Sequence, residues 1–195
     1  MGHVIADMSM SLDGYVADAQ DATEQVFGWF FGGDVALPSR NPHITFQVSE
    51  GSAKVLGGAL ESVGALICGR RTFDLAGGWG GTHPMGVPVV VMTHDPPEGY
   101  EGAPFHFVSD GIQSAVAKAQ ELAGDKLVGV ASPDVTRQCL DAGLLDGIHV
   151  NLIPVLLGGG VPWFANVADA PIQLEGPTAV TEGAGVTHLS YRVKR

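Results

Sequence analysis

Five short apolar runs separated by helical stretches constrain the fold of this chain more than any other feature: Ala65 to Cys68, Val87 to Thr93, Phe105 to Val108, Lys126 to Val130 and His149 to Leu156. Each has the length of a strand. The run from Val87 to Met92 lacks polar alternation, which reads as a strand covered on both faces. Between the runs, Arg70 to Leu75 reads as a short helix, and Ile112 to Leu122 places Ile112, Ala115, Val116, Ala119 and Leu122 on one helical face. Asp134 reads as the cap of a further helix to Ala142, closed by Gly143. Strands alternating with helices predict an α/β fold, with a mainly parallel sheet and helices on both faces.

The flanks add antiparallel pieces. His3 to Ser11 reads as a first strand leaving the sheet through a turn at Asp13-Gly14. From Asp18 to Pro42 the pattern is weak, with Phe27, Trp29, Phe30 and Phe31 forming an aromatic cluster of short-helix length. Ser49 to Val63 reads as a helix capped by Ser49 or Ser52, with Val55, Leu56, Leu60 and Val63 on one face. Ile172 to Thr181 and Val186 to Val193 read as a C-terminal hairpin turning through Glu182-Gly183-Ala184-Gly185. The 195 residues suit one domain over 1–195, without repeats or a long linker.

Charge narrows the partners. Ten Lys and Arg against 21 Asp and Glu give a net charge of −11, so the surface repels nucleic acid and anionic membranes. Hydrophobic residues make up 45% of the chain, yet no apolar run is long enough to span a bilayer. No secretory leader is visible at the N-terminus, and a cytoplasmic setting is expected. Cys68 and Cys139 read as reduced buried thiols, and the seven histidines lack metal-site spacing, so no metal is expected.

Against this acidic background, Leu66-Ile-Cys-Gly-Arg-Arg-Thr-Phe-Asp74 stands out: an apolar strand stops at Gly69 and two arginines follow at once. A helix beginning at Arg70 presents unpaired N–H groups and the positive end of its dipole beside two guanidinium groups. Such a place suits a small anion such as phosphate.

Four segments, taken in order, resemble the dihydrofolate reductase-like superfamily, and more closely the reductase domain of the bacterial bifunctional riboflavin-biosynthesis deaminase-reductase. They are Ser11 to Ala17, Gly69 to Phe73, Val91 to His94, and Gly143 to Asp146 leading into Pro154 to Gly160. The resemblance implies a single-domain, three-layer fold and an NADPH-dependent reductase passing a hydride to a small heterocycle, carbonyl or imine. It implies that Gly69, Arg70, Arg71 and Thr72 hold cofactor phosphates, that Thr93 and His94 receive the adenosine 2′-phosphate, and that Ala131 and Ser132 stand at the pyrophosphate. It also implies that the backbone around Ala6 and Asp7 and the loop from Ser11 to Ala17 line the nicotinamide and substrate, with Trp29 and Phe30 facing the substrate. Homodimers are common among such proteins.

The chain departs from that pattern at two places. Ala131 and Ser132 replace the usual glycine pair, taking room near the phosphates. The acid that protonates substrate in true dihydrofolate reductases has no motif here; Asp21, Glu24 and Asp34 are the carboxylates in that region, and Glu24 is the candidate. Asp13 reads as a catalytic or loop-anchoring group, or as a turn carboxylate beside Gly14. Trp79 and Trp163 are either core or aromatic walls for a flat ligand, and Gly158 to Gly160 reads as a tight turn. Two alternatives stand beside the reductase: a true dihydrofolate reductase, and a non-catalytic nucleotide-binding protein whose cofactor site has decayed.

Overall fold

A computed structural model describes residues 2–194. The first strand β1, Val4–Ser11, turns into the short β2, Tyr15–Ala17, and the one-turn helix α1, Glu24–Phe27, runs into a 3₁₀ turn, Gly28–Phe30. A small hairpin follows, β3, Val35–Pro38, against β4, Thr45–Val48. The sequence pattern between Asp18 and Pro42 did not announce it, because two four-residue strands carry too little alternation to register.

Helix α2, Glu50–Ser62, starts where expected, with the Ser49 side chain accepting from the Ser52 N–H, a cap worth about 1 kcal/mol. Then come β5, Val63–Gly69, α3, Arg70–Leu75, a turn Gly77–Gly81, β6, Val89–Met92, and β7, Phe105–Val108. Helix α4, Ile112–Ala123, buries the expected face. After β8, Leu127–Val130, helix α5 covers Pro133–Asp141. Its N-cap is Ser132, with Pro133 in the first turn, so the cap expected at Asp134 sits two residues too late. Strand β9, Gly147–Ile153, the short β10, Val161–Pro162, β11, Leu174–Gly183, and β12, Val186–Val193, complete the chain.

Eight strands form one sheet in the order β11-β12-β9-β1-β8-β5-β6-β7. Its pairs from β9 to β7 are parallel, and β12 and β11 add the antiparallel ribbon. Strand pleating divides the core. Ala65, Ile67, Val128 and Val130 pack with Ala115 and Val116 of α4 and Val135 of α5 on one face. On the other, Leu66 and Cys68 pack under Phe73 of α3, while Leu56 of α2 joins Trp29, Phe46 and Ile153. The second face therefore carries two separate hydrophobic masses, and the gap between them lies over β1, β8 and β5.

Candidate active-site cleft

That gap is a cleft of about 1010 Å³. Its sheet side opens at Gly129, where a Cβ would sit 2.6 Å from a methyl of Leu66 and would force that side chain to shift. The carboxyl ends of the parallel strands meet the same space, which is where open α/β sheets bind ligands. Gly69 to Thr72 after β5, Thr93 and His94 after β6, and Ala131 and Ser132 after β8 all line it.

Helix α3 is held rigidly. Phe73, 1% exposed, meets Trp79, Tyr100, Phe105 and Phe107 edge-on at centroid distances between 4.9 and 5.9 Å. The following Gly77–Gly81 turn holds Gly78, Trp79 and Gly80 in left-handed conformations. A Cβ at Gly78 would also strike the Tyr100 ring at 2.7 Å. Asn41 donates to the Trp79 and Thr82 carbonyls at 2.9 and 2.7 Å and fixes the turn, leaving Trp79 on the cleft wall.

The starts of α3 and α5 face each other. A Cβ on Gly69 would lie 3.2 Å from Ser132 Oγ. Ser132 has extended backbone, φ −164° and ψ 133°, and Ala131 lies outside the left-handed region, so neither position needs glycine for its conformation. The Ser132 hydroxyl makes no bond to its own helix and is available to a ligand. Both arginines are engaged: Arg70 Nε donates to Asp74 at 2.7 Å and its NH1 group to the Asp95 carbonyl, and Arg71 donates to Asp21. Asp134, in the first turn of α5, accepts from Arg137 and Gln138. Thr93 Oγ1 donates to the Asp95 carbonyl at 3.1 Å, and Thr72, Thr93 and His94 all line the cleft.

At the other end, Trp29 and Phe30 line the cleft as expected, stacked with centroids 3.9 Å apart. Trp29 Nε1 donates to Ser9 Oγ at 2.9 Å. Glu24 is exposed on the rim. Ala6 is fully buried and its side chain belongs to the opposite core face, whereas Asp7, Met8 and Ser9 of β1 line the cleft.

Ser11 and Asp13 are not among the residues lining the cleft; the structure places them together in the loop after β1, where Asp13 takes the loop-anchoring place that was one of its expected roles. Ser11 Oγ donates to Asp13 Oδ1 at 2.6 Å and accepts from the Tyr15 N–H; the Asp13 carboxylate also accepts from the Leu157 and Gly158 N–H groups at 3.1 and 2.7 Å. The Ser11 hydroxyl, then these N–H groups, hold the Asp13 carboxyl below the usual range. Asp13 is thereby a loop anchor, clasping the Gly158–Gly160 turn. In that turn all three glycines have positive φ. Trp163 is core, 1% exposed, with its Nε1 on Thr136 Oγ1.

The structure also assembles a polar chain that sequence reasoning missed. Ser49 donates to Ser52, Ser52 Oγ pairs with His188 Nε2 at 2.9 Å, His188 Nδ1 pairs with Asn151 Oδ1 at 2.7 Å, and Asn151 Nδ2 donates to Asp7 Oδ1 at 2.9 Å. With the Asn151 amide nitrogen on Asp7, its Oδ1 accepts from His188, which places a proton on Nδ1, and the chain ends on the Asp7 carboxylate facing the cleft. Burial lowers the His188 pKa, opposed by the charge of Asp7. Asn151 inside the apolar run of β9, and Asp7 inside that of β1, were the available signals. Burial pushes both thiols, Cys68 and Cys139, up to about 12, which leaves them inert at neutral pH.

Known proteins share this architecture. A putative riboflavin biosynthesis protein from Shewanella sp. PV-4 is 24% identical, with TM-score 0.72 and 99% of each chain covered. A diaminohydroxyphosphoribosylaminopyrimidine deaminase/5-amino-6-(5-phosphoribosylamino)uracil reductase from Thermotoga maritima is 13% identical, with TM-score 0.60; the match covers 99% of this chain and 57% of that one. The dihydrofolate reductase of Enterococcus faecalis, solved with NADP(H) and RAB-propyl, is 16% identical, with TM-score 0.59 over 100% of this chain and 98% of that one. No curated protein matches the sequence. Residues 2–185 match the family described as the RibD C-terminal domain, and the chain belongs to that family.

Proposed function

We propose that this chain is an NADPH-dependent oxidoreductase, a reductase related to riboflavin biosynthesis, formed by one domain over residues 1–195. The observation that carries the reading is the convergence of three strand-end turns, Gly69–Thr72, Thr93–His94 and Ala131–Ser132, on one cleft in a member of this family. The residues suit the cofactor: the unengaged Ser132 hydroxyl and the uncapped first turn of α5 offer donors opposite Gly69, with Arg70, Arg71 and Thr72 beside them. When bound, NADPH supplies a hydride from its nicotinamide C4.

The chain itself binds and orients. Arg71 is 69% exposed and its pairing with Asp21 is a solvent-screened surface ion pair, so exchanging Asp21 for a phosphate costs little. Thr93 and His94 line the cleft beside Arg70, and in this reading they receive the 2′-phosphate and favour NADPH over NADH. Trp29, Phe30 and Leu56 exclude water from the inner cleft, and Asp7 supplies a fixed acceptor that orients a substrate N–H. A cytoplasmic setting and a homodimer belong to the same reading; among the described residues no helix is long and apolar enough to cross a membrane.

Titration of the purified chain with NADPH, followed by nicotinamide fluorescence, tests it. The expected result is binding that Arg71→Ala weakens about tenfold and Asp21→Asn tightens, because the second change frees Arg71. No binding at millimolar NADPH would refute the reading.

A further inference from the structure

The cleft's charge is confined to one end. Among its described lining residues, the Lys and Arg side chains are Arg70 and Arg71 alone, both at the start of α3. The portion between α2 and the Gly77–Gly81 turn is instead walled by Val55, Leu56, Ala59, Leu75, Trp79 and Met85. Its one imidazole, His83, accepts the Met85 N–H on Nδ1 at 3.1 Å, a bond that requires the neutral ring. The remaining ionic groups on this side are carboxylates, Asp7 on the sheet and Glu24 on the rim.

We infer that the substrate is an uncharged molecule with an apolar body and a hydrogen-bond-donating edge, and that it carries no phosphate. This rests on the reductase reading, which assigns Arg70 and Arg71 to the cofactor. A phosphomonoester carries nearly two charges and three acceptor oxygens, and binding sites meet it with guanidinium, ammonium or clustered N–H donors. Beyond the cofactor end the described lining offers aliphatic carbon, aromatic rings, the neutral His83 ring, the scattered polar groups of Ser9, Thr23 and Asn151, and carboxylates, with no guanidinium or ammonium. Burying a dianion against it would leave the charge unpaired and repelled. A neutral ligand gains instead: its apolar body covers the α2 and Trp79 surfaces, and an N–H on its edge meets Asp7, held in place by Asn151 and, behind it, His188. The compound in the Thermotoga protein's name bears a phosphoribosyl group, so this chain acts on a different class of molecule.

The test uses the full chain and two kinds of probe. NADPH binding is measured first; its failure refutes the reductase reading and leaves the following measurements readable without cofactor. The neutral fluorophore N-phenyl-1-naphthylamine is titrated into the wild type and into Ala59→Arg, which puts a cation on the apolar wall, with thermal melts confirming that the variant folds. 5-Amino-6-(5-phosphoribosylamino)uracil is then compared calorimetrically with its dephosphorylated counterpart, a pair differing only in the phosphate. Expected are fluorophore binding that Ala59→Arg weakens at least about tenfold, and, where the uracils bind, at least about tenfold weaker binding of the phosphorylated one. Fluorophore binding lost in Ala59→Arg supports the proposal even if neither uracil binds. Absent fluorophore binding, binding indifferent to Ala59→Arg, or a phosphorylated uracil bound as tightly as its partner would overturn it.

Discussion

Acid should weaken this protein through His83 as the pH falls below 6.5. The ring lies at the cleft wall, 4.5 Å from Trp79 between centroids and edge-on to it, with the Met85 N–H donating into Nδ1. Burial lowers its pKa from 6.5 to about 3. Because the folded value lies below the unfolded one, the unfolded chain binds more protons between them, so stability is complete above pH 6.5 and falls as pH drops towards 3. At 1.36 kcal/mol per pH unit, the loss reaches about 2–3 kcal/mol at pH 4.5, a large part of a typical domain's stability. Carboxylates titrate in the same range, so the comparison needs a variant that keeps an acceptor and cannot charge: His83→Asn. Urea denaturation of both proteins from pH 7.5 to 4.5 gives the difference directly, and the wild type should lose about 2 kcal/mol more than the variant. Parallel pH curves would refute the reasoning and mean that the ring charges in place, with water supplying what the Met85 N–H withdraws.

Two further outcomes follow from the polar contacts. His188→Leu removes the partner of both Ser52 and Asn151 in the core, and should cost about 3 kcal/mol in urea denaturation; a loss below about 1 kcal/mol would mean that water replaces the ring. Asp13→Ala releases the Leu157 and Gly158 N–H groups, and amide hydrogen exchange at both should speed up at least about tenfold while the α4 amides hold their rates; unchanged exchange at 157 and 158 would remove Asp13 as the loop anchor.

What the sequence disclosed was local or periodic. Continuous apolar runs placed β5, β6 and β8, because strands buried on both faces leave that signature regardless of their partners. The four-residue β3 and β4 escaped because their pairing comes from neighbours and from Phe46 and Val48 entering the core under α2, not from a pattern within either strand. The same limit separates Trp29 from His188. Trp29 was visible as one of a cluster of aromatics, whereas His188, 37 residues from Asn151 and 136 from Ser52, acquires its meaning only when β12 lies down beside β9.

The arginine-bearing start of α3 shows what that limit does to a functional reading. Adjacent residues display two cations on a helix start, a place suited to a small anion. The fold brings Asp21, 50 residues away, onto Arg71, and sets Asp74 one helical turn from Arg70, so the spot is compensated in the free protein. Compensation of this kind favours selectivity over raw attraction. A loosely held anion gains little by displacing Asp21, while a ligand that also reaches Thr93, His94 and Ser132 recovers the exchange through several contacts at once. The acidic surface acts in the same direction, since a chain of net charge −11 slows the approach of any polyanion. An affinity for NADPH far above that for inorganic phosphate or pyrophosphate is therefore what this arrangement of paired arginines is built to give, and equal affinities would mean that the cations, and not the whole cleft, decide what binds.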